Sequence, residues 1–220
     1  MKTPFSFALL LFNFLFLIKL EAQSRLIFEL GTGIPYNISM PLVIRQTGEN
    51  TLHLIAQYDS RPFEIPIFWD WRISYWDSSS GWEIEAIHHK LFLINKPSMV
   101  QQFDISHGIN LVLINRCFMI DNFILKAGAG ISFTHPENIV RSQKLDEDRG
   151  IFDQGYYVSG PAILFSAGKR LYIHKNIFVI AEVKLGLSYS YIPIANGNSD
   201  VYNAAAIFTF GIGTDFLKLN

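Results

Sequence analysis

The chain has 220 residues, 50% hydrophobic and 15% aromatic, with only 17% charged and a formal net charge of −1. Low charge with abundant aromatics excludes intrinsic disorder, and the near-neutral balance offers no basic surface to nucleic acid. Beyond the N-terminus no apolar run approaches the roughly 20 residues of a spanning helix, and one cysteine, Cys117, permits neither a disulfide framework nor a Cys-based zinc site within one chain.

Met1 to Ala22 reads as a secretory signal peptide. Lys2 gives a positive start, Pro4 to Ile18 is apolar, and Ala22 offers a small residue before Gln23. Leu20 fits the −3 position poorly, so the cut lies within a few residues of Ala22; the alternative is an uncleaved anchor helix. No cysteine follows, which argues against a lipoprotein. The expected organisation is a signal peptide over 1–22 and one barrel domain over 23–220, without internal repeat or linker.

From Arg25 onward the dominant period is two. In 67–76 (IFWDWRISYW) Ile67, Trp69, Trp71, Ile73 and Tyr75 alternate with Asp70, Arg72 and Ser74. The same alternation runs through 177–191 and 202–216, much longer than the usual strand of ~5–6 residues. In chain order the expected strands are 25–33 (turning near Ile34-Pro35), 39–45, 51–59, 66–76, 82–92, 103–116, 123–135, 156–173, 177–193 and 202–216. Short connections at 46–50, 77–81, 117–122 and 174–176 alternate with longer ones at 93–102, 137–155 and 194–201. That suits periplasmic turns, outer loops and both termini on the periplasmic side. The count is about ten strands; were 25–45 one bent element, it would be eight.

Alternation alone fits a soluble sandwich or a transmembrane barrel. Strand length favours the barrel, as do aromatics near strand ends (Trp69, Trp76, Trp82, Tyr189, Tyr191, Tyr202, Phe216) and charges of both signs in mid-strand. Arg72, Glu83, Glu85, Lys126, Glu182 and Lys184 are expected to pair in a narrow, plugged lumen. The fold class is therefore an all-β antiparallel transmembrane β-barrel. The expected place is a bacterial outer membrane, with membrane lipids and the barrel-assembly machinery as partners and the oligomeric state open. Phe216 near the end resembles the C-terminal signal of outer-membrane barrels, although Leu217 to Asn220 extend beyond it.

Chemistry concentrates in 82–93 (WEIEAIHHKLFL) and 103–117 (FDISHGINLVLINRC), expected to pair as a hairpin. A symmetric register sets Phe92 against Phe103, His88 against His107 and His89 against Ser106. His88 and His107 then face lipid near the outer rim, while Glu83, Glu85, His89, Ser106 and Asn110 point inward. A bulge at Gly108 would reverse part of this. The candidate catalytic residues are His107, Ser106, His88, His89 and Glu85, which supply the base, hydroxyl and carboxylate types of an acylhydrolase acting on an outer-leaflet lipid. Against this stands a structural reading: rim histidines as interfacial anchors, luminal carboxylates as a packed polar interior. On an ideal strand the adjacent Ser106 and His107 face opposite ways, which opposes a dyad.

The stretches GWEIEAIHHKLFL, FDISHGINL and AGAGISFTHPEN resemble a set of uncharacterised bacterial outer-membrane β-barrel proteins. The likeness runs through most of the chain after residue 22 and implies the barrel fold without an activity. A more distant resemblance is to the lipid A deacylase barrel, whose catalytic histidine is followed two residues later by serine. Here Gly108 and Ile109 follow His107, so its triad is not carried over.

Weaker signals are His135-Pro136-Glu137, a possible metal-ligand pair read as the exit of a strand into a loop, and Gly128-Ala129-Gly130, read as luminal glycine. Cys117 is read as a free thiol at a turn. The stretch 137–155, with Glu137, Arg141, Lys144, Asp146, Glu147, Asp148, Arg149 and Asp153, is read as a solvated outer loop. No cofactor and no metal is expected.

Overall fold

The computed structural model describes residues 24–146 and 148–219. The signal-peptide reading of Met1 to Ala22 lies outside them. Thirteen strands form one antiparallel sheet: β1 (Ser24–Ile38), β2 (Met40–Gln46), β3 (Leu52–Ala56), β4 (Tyr58–Asp59), β5 (Trp69–Asp77), β6 (Ser80–Leu93), β7 (Val100–Ile120), β8 (Phe123–Thr134), β9 (Glu137–Val140), β10 (Gln143–Lys144), β11 (Tyr157–Tyr172), β12 (Ile177–Ile194) and β13 (Gly197–Leu219). Among the described residues there is no helix.

Eight of these strands close on themselves in the order β1-β5-β6-β7-β8-β11-β12-β13 and back to β1, which makes a barrel without free edges. The count of about ten is corrected to eight, the alternative raised by a bent 25–45 element. β1 follows β13 from Ser24↔Leu219 to Ile38↔Ala204, and β2 then takes over β13 from Leu42↔Val201 to Gln46↔Gly197. β1 and β2 are thus one bent element beside a single strand. The 51–59 segment does not cross the barrel either. β3 pairs only with β2, and β4 adds two residues to the end of β6.

These short strands belong to an extension above the ring. β9 joins the start of β7, β10 joins β9, and the upper parts of β6, β7, β12 and β13 rise to meet them. The long loop expected at 194–201 is instead a tight hairpin: Ile194 pairs with Gly197, and Asn196 at the tip has φ 56°. The solvated loop expected at 137–155 begins with two strands.

Alternation sorts the side chains as the period-two reading requires. Leu30, Ile34, Trp71, Ile73, Trp82, Ile84, Ile114, Leu125, Phe165, Val183, Phe208 and Phe210 face outward and are exposed, so every ring strand contributes apolar surface. Trp76, read as a rim aromatic, is instead fully buried inside, where its indole N–H donates to Ser74. Cys117 is likewise interior and within β7 rather than at a turn.

The interior is layered. Near the short turns Ile27, Trp76, Cys117, Ile124, Phe178 and Ile180 form an apolar cluster. At the other end a larger one includes Leu42, Ile44, Leu91, Phe103, Ile105, Val140, Ile192 and Val201. Buried charges lie between them. At Gly128 a Cβ would overlap the Asn115 amide, which agrees with the luminal-glycine reading.

Candidate functional site

Two constellations carry chemistry. The first is the interior charge layer. Arg72 on β5 meets Glu29 and Glu182, each at 2.5 Å, and also Asp70 at 3.4 Å and Glu85 at 3.2 Å. Lys126 on β8 bonds Glu83 at 2.9 Å and stands 3.4 Å from Glu182. Lys184 on β12 bonds Asp70 at 2.5 Å and also Glu85, and Arg170 on β11 bonds Glu29 at 2.7 Å. Asn115 donates to Glu83 and Glu85, and Ser166 donates to Glu182. Every charge named here has a partner of opposite sign, the condition under which a buried charge is tolerated.

The second lies at the outer rim, where β7 departs from regular alternation. The pairing His89↔Ile109 is followed by Leu91↔Ile105, so Ser106, His107 and Gly108 are bulged out of the ladder. Gly108 has φ +106°, and a Cβ there would overlap the His88 ring; both conditions select glycine. The bulge carries Ser106 and His107 to the same side. Ser106 Oγ donates to Glu137 Oε1, and His107 Nδ1 lies 2.7 Å from the same oxygen. Ser106 Oγ is 3.3 Å from His107 Nδ1.

β8 and β9 complete the rim. The His135 N–H donates to the Gly108 carbonyl at 3.2 Å, which ties the end of β8 to the bulge. The His135 ring stacks on His107 at 4.7 Å between centroids, and Tyr156 meets His135 edge-on at 4.9 Å. The Tyr156 hydroxyl donates to the His107 carbonyl at 3.4 Å. Burial raises the Glu137 pKa, but the hydrogen bonds from Ser106 and His107 outweigh it and leave the carboxyl below its usual range. His107, His135 and Glu137 each place one ligand atom within 4.8 Å of the others.

The remaining candidates lie elsewhere. The symmetric hairpin register is corrected: Phe92 faces Asp104, His88 faces Asn110 and His89 faces Ile109. His88 is on the outer wall, with Nδ1 2.8 Å from Asn110 Oδ1 and its ring stacked on Trp69 at 5.3 Å. Lys90 donates to the Glu64 carbonyl and ties the 61–67 segment to the same side of β6. His89 is interior, with Nε2 2.9 Å from Asn37 Oδ1. Glu85 belongs to the charge layer. The inward placement of Ser106 and Asn110 is also corrected: Ile105, Ile109, Leu111 and Leu113 are the buried, inward residues of β7 while Val112 and Ile114 are exposed, so its even-numbered positions face outward and the bulge brings His107 to the same side. His135 and Glu137 belong to the His-Pro-Glu stretch, which sets two ligand types two residues apart and reads in the sequence only as a weak metal-ligand pair at a strand exit; Tyr156 has no such signal in the sequence.

No protein-family model and no curated protein matches the chain. Among solved structures it is similar to Ail, the attachment invasion locus protein of Yersinia pestis. The TM-score is 0.34 at 10% identity, covering 86% of this chain and 99% of that one. A second structure of Ail, in complex with the heparin analogue sucrose octasulfate, matches with TM-score 0.34 at 11% identity over the same shares.

Proposed function

We propose that the protein is an integral barrel of a bacterial outer membrane. In this reading it has a sealed lumen, and its structural or surface-interaction role is exercised through the extension above the ring. The observation that carries this is the exposed apolar belt contributed by all eight ring strands. Soluble proteins rarely leave more than a few hundred Å² of contiguous apolar surface in water, whereas a lipid-facing barrel requires it. The sealed lumen is supported by the cross-linked charge layer held between two apolar clusters. Membrane lipids and the barrel-assembly machinery are the partners this reading implies.

The test is membrane fractionation with heat-modifiable gel mobility, followed by planar-bilayer recording. The expected result is a membrane-bound species that migrates faster unboiled and passes no stable current. A form soluble without detergent would overturn the membrane reading, and large reproducible conductance steps would overturn the sealed lumen.

The outer-leaflet acylhydrolase alternative has one observation in its favour, the meeting of Ser106, His107 and Glu137. The geometry withholds the proton transfer. Serine activation needs a neutral imidazole nitrogen to accept the hydroxyl proton. Here the hydroxyl and Nδ1 both donate to one carboxylate oxygen, so Nδ1 is not available as that base. Mass spectrometry of lipid A and phospholipids from cells with and without the protein is expected to show no change. Loss of an acyl chain, abolished by His107→Ala in a folded barrel, would establish the enzyme.

A further inference from the structure

We propose that His107, His135 and Glu137 form a binding site for a divalent transition-metal ion of the zinc class at the outer rim of the barrel. Two imidazoles and one carboxylate are a donor set that suits such ions rather than calcium or magnesium, which take all-oxygen shells.

Three separate features of the fold converge on this point. The Gly108 bulge lifts His107 out of alternation, at a φ of +106° that other residues rarely adopt. Pro136 ends the pairing of β8, and residues 135 and 137 flank it on the side facing the bulge. The hydrogen bond from the His135 N–H to the Gly108 carbonyl, at 3.2 Å, holds the two segments together. The ligand atoms lie within 4.8 Å of one another. Bonds of about 2.0–2.2 Å in tetrahedral geometry put ligand atoms about 3.3 Å apart, so the atoms already stand close to the spacing an ion requires.

The surroundings supply what ligands of a metal ordinarily have. Glu137 accepts from Ser106, and Tyr156 braces both the His107 backbone and the face of His135. The His107 side chain is 55% exposed, so the site opens to solvent for loading and leaves a fourth position to water. An ion here would link β7, the end of β8 and β9, replacing the direct contact of His107 with Glu137. It requires nothing of the lumen and adds a ligand to a barrel otherwise read as structural.

Titration of the refolded full chain in detergent with Zn2+, followed calorimetrically, tests the site. The expected result is one ion per chain, with affinity reduced at least tenfold in His135→Ala and in Glu137→Gln. Copper(II) bound to the unaltered protein gives a second readout, independent of any variant's folding: its paramagnetic resonance spectrum is expected to show two coupled imidazole nitrogens. Absence of stoichiometric binding would overturn the proposal. So would undiminished binding in both variants, which would place the ion on other histidines, or a copper spectrum with fewer than two nitrogens.

Discussion

Arg72 Nη1 and Glu182 Oε2 lie 2.5 Å apart inside the barrel, although 110 residues separate them in sequence. Their strands, β5 and β12, are three steps apart around the ring, so the contact spans the interior rather than neighbouring strands. It exists because each residue occupies an inward position of a period-two strand and because an eight-stranded ring is narrow enough for long side chains to meet.

Removing this arginine is expected to be costly. Arg72→Met leaves Glu29, Asp70, Glu85 and Glu182 short of a common partner while keeping most of the side-chain volume. Breaking a buried pair from one side costs about 3–5 kcal/mol. Urea unfolding of the refolded barrel, followed by tryptophan fluorescence, should show a loss of that size; an unchanged midpoint would mean that the charge layer contributes little.

Gly108 is expected to tolerate no side chain. Gly108→Ala introduces a Cβ at a positive φ and into the His88 ring, so two strains combine at one residue. A loss of about 1–3 kcal/mol is expected, with a displaced His107 resonance by NMR. Wild-type stability with an unperturbed His107 would show that the bulge is not held as described.

The extension should loosen in acid. The hydrogen bond from Arg45 holds the Asp200 carboxyl below its usual range; burial opposes this, and the Tyr189 hydroxyl reinforces it. A depressed folded-state pKa contributes stability that is present above the unfolded value of about 3.9 and is lost as pH falls through the folded value. Amide exchange in β2, taken relative to its intrinsic rate at each pH, is therefore expected to quicken below about pH 4 in the wild type. In Asp200→Asn it is expected to be faster at neutral pH already and to change less on acidification. Identical pH profiles for the two proteins would exclude this pair as the link.

The ring strands and most of their faces are legible in the sequence because alternation is a direct consequence of burying one face of a strand; β7 is the exception, since both its faces are apolar and Ile109, Leu111 and Leu113 lie inside while Val112 and Ile114 face outward. What was not legible was which strands cross. β2 and β3 alternate as ring strands do, since Leu42 and Ile44 are buried under the extension, so period alone cannot separate them from spanning strands. The stretch 194–201 reads as a loop, yet from Gly197 on its backbone is paired with β2 and β12, and strand pairing leaves no signal in such a composition. At the rim, His107 was identified and its carboxylate partner was not. Glu137 lies 30 residues away, and it meets His107 only because a two-residue register change redirects the chain. Gly108 marked where that change falls without giving its size.

Thiol labelling on intact cells tests the membrane-spanning barrel most directly, because Cys117, the only cysteine, is buried and leaves the wild type silent. A membrane-impermeant maleimide is applied to Phe152→Cys in the outer loop, Ile84→Cys in the apolar belt and Lys175→Cys in a short turn at the opposite end. Labelling is expected for Phe152→Cys in intact cells, for Lys175→Cys only after the outer membrane is permeabilised, and for Ile84→Cys only after denaturation. Rapid labelling of Ile84→Cys in the folded protein, or of Lys175→Cys in intact cells with Phe152→Cys protected, would contradict it.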